Sequence, residues 1–262
     1  MSNTINWGKI HGLSYSPETN LTGTAAAPSF TNTKSVRFDG VDDFCETSAN
    51  YSELDGQTKA TISFWIQPPS TIVDLQIISA TIKNSAAANH QFQITLSTSG
   101  VITFSKDATS RFIRANSTPL NLNAWNHVMY CIDTSQGIGS QRGKVFINGV
   151  ESTSSTTVSG TFATSTGALY IGANENGQYN NLEGAIDEFA IWSGTDQRAN
   201  VSEIYGGGVA VDLNNLATAP SPTTWYRMGD ADTFPTLQDT NGSADLTMTN
   251  MTSGNIVTDV PT

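Results

Sequence analysis

Three groupings of polar side chains in this 262-residue chain have the types and spacing to do chemistry. The first is the pair Asp187 and Glu188, set in the apolar run AIDEFAIW (185–192) of a chain with only 13% charged residues. Strand alternation would put Asp187 on the side of Phe189 and Ile191, and Glu188 on the side of Ile186, Ala190 and Trp192. One carboxylate then faces apolar neighbours whichever side is the core. A buried carboxylate must protonate or acquire a partner. Lys and Arg together number 12, so a bound cation is one partner; backbone hydrogen bonds or pairing with Arg37 or Arg227 is the other. The second grouping is the acidic turn FDGVDD (38–43). It lacks the D-x-D-x-D-G spacing and distal Glu of an EF-hand loop and reads by itself as a solvated turn. The third is NENGQYNN (174–181), where Asn174, Asn176 and Asn180 surround Tyr179. Aromatic rings beside amides are what sugar recognition uses, and Asn-rich turns also form for backbone reasons alone.

Catalytic constellations are scarce. Retaining glycoside hydrolysis needs two carboxyl groups about 5 Å apart across the sugar, which strands supply from acids two or four positions apart on one face. ELDG (53–56) holds Glu53 and Asp55 but continues Gly-Gln-Thr-Lys, and alternation sends Asp187 and Glu188 to opposite faces. His11, His90 and His127 are scattered, and His127 reads as a satisfied structural histidine. The glycines form neither G-x-G-x-x-G nor a P-loop. Cys45 and Cys131 sit among apolar neighbours and read as buried thiols. The expectation is a non-enzymatic protein.

A net charge of −11 disfavours nucleic acid and anionic membrane as partners. No run approaches the ~18 consecutive apolar residues of a spanning helix. The opening MSNTINWGKIHG lacks the charged and apolar regions of a signal peptide, which leads to the expectation of cytoplasmic synthesis.

The elements that must position these residues carry strand periodicity almost throughout. TISFWIQ (61–67), QFQITLS (91–97), GVITFSK (100–106), WNHVMYCID (125–133), GKVFINGV (143–150), ALYIGA (168–173) and AIDEFAIW are short and rich in β-branched and aromatic residues. They predict an all-β fold, an antiparallel two-sheet sandwich with one short helix. In WNHVMYCID both parities are apolar, which suits a sheet covered on both sides. Trp65, Trp125 and Trp192 lie in strand patterns and read as core. The helix is NVSEIYGGG (200–208), with Asn200 as its cap and the triple glycine as its stop. The chain divides into an N-terminal arm (1–33) with isolated Trp7, Ile10, Leu13, Tyr15 and Phe30, a sandwich (34–210), a Pro-containing surface crossing (211–223) and a C-terminal strand-completing tail (224–262). In that tail TWYRMGD (224–230) reads as a strand and 239–251 as a hairpin.

In order, VRFDGVDDF (36–44), TISFWIQP (61–68), WNHVMYCID, KVFINGV, LYIGA, GAIDEFAIW and the helix ending in YGGG resemble the laminin-G-like, or concanavalin A-like, jelly roll over residues 36–208. In such proteins the acid of the closing strand often binds a structural calcium, with oxygens from the FDG turn and from a W-x-x-x-D segment. The resemblance therefore implies an optional Ca²⁺ at Asp187, Asp39 or Gly40, and Asp230 or Asp232. Residues 225–251 resemble the tails of laminin-G-like proteins in marine bacteriophage virions. Most members carry the W-x-x-x-D segment before the FDG strand; here it follows the domain, which implies a permuted or strand-completing arrangement. This second likeness implies a virion surface protein, a capsid decoration or fibre component, located on the particle, with other virion proteins as partners and homo-oligomeric assembly. The alternative is a lectin-like module that binds a host-surface glycan through Asn174, Asn176, Tyr179 and Asn180.

Overall fold

The computed structural model describes residues 30–82, 90–115, 118–153, 155–174 and 179–262, with the backbone alone at 108–111. The arm residues through 29 and Asn176 lie outside the described residues. Asn32–Thr262 form one compact unit.

The chain enters on β1 (Ser35–Asp39), turns into β2 (Phe44–Thr47) and continues through β3 (Lys59–Gln67), β4 (Gln76–Ile82), β5 (His90–Leu96), β6 (Ile102–Lys106) and β7 (Ala108–Arg114). It proceeds along β8 (Asn126–Asp133), β9 (Gly143–Ile147), β10 (Val150–Glu151), β11 (Ser155–Thr156), β12 (Leu169–Ile171) and the long β13 (Glu183–Ser193). After α1 (Val201–Tyr205), the one α-helix among the described residues, come β14 (Thr224–Tyr226), β15 (Thr236–Leu237), β16 (Leu246–Thr249) and β17 (Ile256–Val257). One sheet has the order β10-β9-β8-β3-β13-β1-β17, with β14 also on β13; the other has the order β11-β7-β6-β5-β4-β12-β2-β16-β15. All named pairings are antiparallel, so the fold is the expected two-sheet sandwich. β4 and β7 occupy segments that the strand reading of the sequence passes over.

Alternate residues fill the space between the sheets. Ile62, Phe64 and Ile66 of β3 and Val128, Tyr130 and Ile132 of β8 meet Phe92, Ile94 and Leu96 of β5 and Ile102 and Phe104 of β6 in one buried cluster. Phe104 stacks on Phe92 at 5.9 Å and lies 5.5 Å from Tyr130, joining the layers. The opposite parity of β8, Met129 and Cys131, is also buried, because α1 and the crossing segment cover this sheet's outer face. Trp65 there packs against the rings of His127 and Tyr205. Trp65 and Trp192 are buried, but Trp125 is not core: it is half-buried just ahead of β8, and its Nε1 donates to Asp259 Oδ1 at 3.1 Å.

Helix α1 ends where the sequence says it must. Gly206 takes φ +64° and returns its N–H to Ser202 O, a left-handed cap that glycine adopts without steric cost. Asn200, however, makes no side-chain cap; its amide bonds Gln197 and Thr218. Glu203 instead turns outward and collects the N–H groups of Ala217, Thr218 and Ala219, pinning the crossing segment. The tail adds strands to both sheets: β14 pairs with β13 (Ala190 opposite Trp225), β17 with β1 (Val36 opposite Ile256) and β16 with β2 (Met248 opposite Cys45).

Candidate functional site

The Asp187–Glu188 pair marks a break in β13. Its first half pairs with β1, Val36 opposite Ile186, and its second half with β14, Phe189 opposite Tyr226. Two strands thus share one edge of β13, end to end, and the acids sit at the gap between them. On the other edge the ladder to β3 slips between Asp187 and Ala190, and Glu188 takes φ +48°. This is a β-bulge with its extra residue left-handed, which re-aims side chains and costs a non-glycine residue backbone strain. Its consequence corrects the alternation reading: Ile186 and Phe189 both enter the core, and both carboxylates turn to the opposite flank instead of opposite faces.

There they meet Asp230. Asp187 Oδ1 accepts from the Glu188 N–H at 2.9 Å and Oδ2 from Asn32 Nδ2 at 2.8 Å. Glu188 Oε2 accepts from Trp225 Nε1 at 2.6 Å, and Oε1 faces the Arg227 guanidinium at 3.4 Å. Asp230 Oδ1 accepts from Thr33 Oγ1 at 2.6 Å, while Oδ2 accepts from Thr33 N at 2.9 Å and Arg227 Nη2 at 3.3 Å. Burial, reinforced by the charge of Glu188, raises the Asp187 carboxyl well above its ordinary range. Burial also raises Glu188, to about 7, against the opposing pull of Arg227 and the Trp225 hydrogen bond.

The calcium set implied by resemblance is not assembled. Asp187 and Asp230 come together, but Asp39 pairs with Glu183, four residues away along β13, which is about 13 Å of strand. Gly40 turns away with it. Asp232 braces its own turn, accepting from Gly229 N and Gln238 N at 2.8 Å each. Each of the six carboxylate oxygens of Asp187, Glu188 and Asp230 already accepts an N–H or O–H donor. Calcium takes six to eight oxygen ligands, and this donor-filled set, with a guanidinium inside it, does not fit. Of the two partners expected for the acids, hydrogen bonds with Arg227 are the one realised; Arg37 pairs instead with Asp259 at 3.0 Å. At the FDG turn, Asp39, Asp42 and Asp43 bring carboxylate oxygens within 4.8 Å of one another, with Asp39 capping the N–H groups of Val41 and Asp42. His127 is buried, bonds Ser63 Oγ through Nε2 at 2.8 Å and is pushed by burial down to about 3, so it is a neutral core imidazole.

A different feature lies on the outer face of the other sheet. Because Phe92, Ile94, Phe104 and Ile113 point into the core, the residues between them point out. Cross-strand register then places Gln93 beside Ser105, Thr95 beside Thr103, Thr103 beside Arg114 and Ser105 beside Phe112. Gln93, Thr95, Thr103, Ser105 and Arg114 line a groove of about 480 Å³, with Leu75, Ser97, Ser99 and Val101 at its rim. The Arg114 guanidinium lies 5.0 Å over the Phe112 ring, a cation–π contact that sets a flat aromatic and a planar donor side by side. His90 Nε2 meets Ser105 Oγ at 3.0 Å at the far end; burial lowers its pKa, so it stays neutral. The described lining contains no carboxylate.

Of the asparagine-rich stretch 174–181, Asn174 and residues 179–181 are described. Asn180 O accepts from Ile77 N at 2.7 Å, two residues along the chain from Leu75 of the groove lining. Tyr179 is 67% exposed. Asn174 Oδ1 is buried without a hydrogen-bond partner among the described residues. The groove lining contains none of the residues that the sequence singles out. The signal for the lining residues is the outward parity of QFQITLS and GVITFSK, but the register that sets these residues side by side is not written in periodicity.

Residues 39–202, well over half the chain, match the family described as the concanavalin A-like lectin/glucanases superfamily. The chain belongs to this superfamily. No curated protein matches it in sequence. Among solved structures, a candidate carbohydrate binding protein from Bacteroides ovatus superposes with a TM-score of 0.58 at 16% identity, covering 88% of this chain and 62% of that one. A native heptameric SAP-like pentraxin from Limulus polyphemus superposes with a TM-score of 0.54 at 15% identity, covering 83% of this chain and 94% of that one. At such identities the likeness is one of fold.

Proposed function

We propose that this superfamily member is a glycan-binding module and that its sugar site is the groove on the outer face of β5, β6 and β7. The observation that carries the reading is the lining: an amide (Gln93), three hydroxyls (Thr95, Thr103, Ser105) and a guanidinium (Arg114), positioned by strand register beside the Phe112 ring. Sugar hydroxyls are recognised by such fixed donors and acceptors next to an apolar ring face. Tyr179 and Asn180, the latter bonded to the start of β4, would extend the same chemistry. Superfamily membership and the carbohydrate-binding relative support the reading. A groove without carboxylates among its described lining has no acid–base pair for glycoside hydrolysis, which favours binding over turnover.

Placement on a phage particle, with capsid or fibre partners, rests on the sequence likeness of 225–251; neither the fold nor the groove adds to it, and glycan binding takes its place as the principal reading. A glycan array with the full chain, beside Thr103→Trp, tests the proposal. Binding to a defined glycan set that the variant loses by at least about tenfold supports it; equal binding by both proteins refutes the site, and a blank array refutes the function. Tenfold corresponds to about 1.4 kcal/mol, less than one blocked groove should cost.

A further inference from the structure

The acid cluster at the β13 bulge joins three remote parts of the chain: the incoming segment Asn32–Lys34, the closing strand and the tail Trp225–Asp230. Charge alone would keep them apart. Asp187, Glu188 and Asp230 are each less than one-tenth exposed, and the charge of Asp230 opposes ionisation of both Asp187 and Glu188. Arg227 enters this space from the tail, its guanidinium 5.6 Å over the Trp225 ring, and bridges Glu188 Oε1 at 3.4 Å and Asp230 Oδ2 at 3.3 Å. The incoming segment supplies Asn32 Nδ2 to Asp187 Oδ2, Thr33 Oγ1 to Asp230 Oδ1, and the N–H groups of Thr33 and Lys34 to Asp230 Oδ2 at 2.9 and 3.4 Å, while Asp187 Oδ1 and Glu188 Oε2 accept from the Glu188 N–H and Trp225 Nε1.

We propose that the Arg227 guanidinium occupies the place of a structural cation, as an internal counter-charge that fastens both the incoming segment and the tail to the closing strand. A guanidinium suits this task better than a metal here. Its planar fork of five donors reaches two carboxylates at once and is weakly hydrated, so it loses less on burial than an ammonium. It also arrives on the same short stretch, 225–230, that supplies Trp225 Nε1 and Asp230. The fastening therefore closes in one step as β14 docks. The fold would then need no divalent ion at this position.

Thermal melting and amide exchange of the full chain test this. Unaltered protein is expected to melt within 1 °C in excess chelator and in millimolar calcium; a fall of several degrees on chelation overturns the proposal. Arg227→Met should lower the melting temperature by roughly 5–15 °C, because it strands buried charge, and should speed exchange of the Thr33 and Lys34 amides at least tenfold relative to strand amides. A variant that melts like the unaltered protein overturns it. Should Arg227→Met not fold, Glu188→Gln with Arg227→Met removes a charge together with its counter-charge and is expected to restore folding. If the double variant also fails to fold, Arg227 acts otherwise than as a counter-charge, and the proposal is overturned.

Discussion

Replacing Glu188 by Gln should make the protein relatively more stable at pH 8 than at pH 5. Glu188 is 3% exposed and its carboxyl is raised from 4.5 to about 7, chiefly by burial. A raised acid holds in the fold a proton that the unfolded chain has already released, so stability is fullest below the unfolded value of 4.5 and is lost as pH rises toward about 7. With about 1.4 kcal/mol for each unit of displacement, ionising this side chain in the fold costs about 3 kcal/mol by pH 8, of which less than 1 kcal/mol has accrued at pH 5. The charge of Glu188 also raises Asp187, so neutralising it relieves a second acid in the same direction. Gln keeps an acceptor for Trp225 Nε1 but removes the titration. The loss of the Glu188–Arg227 pair is a separate cost, and because Arg227 keeps Asp230, that cost is partly offset. Urea unfolding of both proteins at pH 5 and pH 8 isolates the effect: the difference, variant minus unaltered, should become more favourable by about 2–3 kcal/mol between the two. A difference that stays within about 0.5 kcal/mol at both pH values would refute the assignment of buried, strained charge at the bulge.

Other perturbations test other parts of the account. Gln93→Ala should weaken glycan binding several-fold while leaving the melting temperature unchanged, since the side chain is half-buried in the groove and outside the core; isothermal titration reads the first and calorimetry the second. Gly184→Ala should cost about 2–4 kcal/mol, because φ is +138° and an added Cβ would lie 2.4 Å from Gln67 O; chemical denaturation measures it, and a loss under 0.5 kcal/mol would contradict the close approach of β13 to β3. Phe104→Ala should cost about 3–5 kcal/mol by removing the ring that joins Phe92 to Tyr130 across the layers, and the same melts report it.

The fold was largely legible because its strands alternate cleanly. In TISFWIQ and QFQITLS the inward parity is apolar at every step, as it is in WNHVMYCID from Val128 onward, and the observed core takes those residues. β4 and β7 escaped because QIISATI is buried at every position and ATSRFIR mixes polar and apolar residues without a run. The closing strand was misread for a physical reason: alternation assumes one residue for one residue, and a bulge spends two against Phe64, reversing the parity of everything after Asp187. Nothing in AIDEFAIW announces that, although two adjacent acids in an apolar strand signal that something other than simple pleating holds them. The partner is legible as a possibility, since Arg37 and Arg227 both offer a guanidinium, but the choice between them is set by β1 and β14 abutting on one edge of β13. The groove depends on register among three strands, which short-range pattern does not encode.

Amide chemical-shift mapping by NMR, titrating the full chain with the oligosaccharide that the array selects, tests the central claim most directly. Shifts confined to the outward residues of β5–β7, including Gln93, Thr103 and Arg114, and extending to Tyr179 and Asn180 are the predicted result. Shifts centred on any other surface, with β5–β7 silent at saturation, would contradict it.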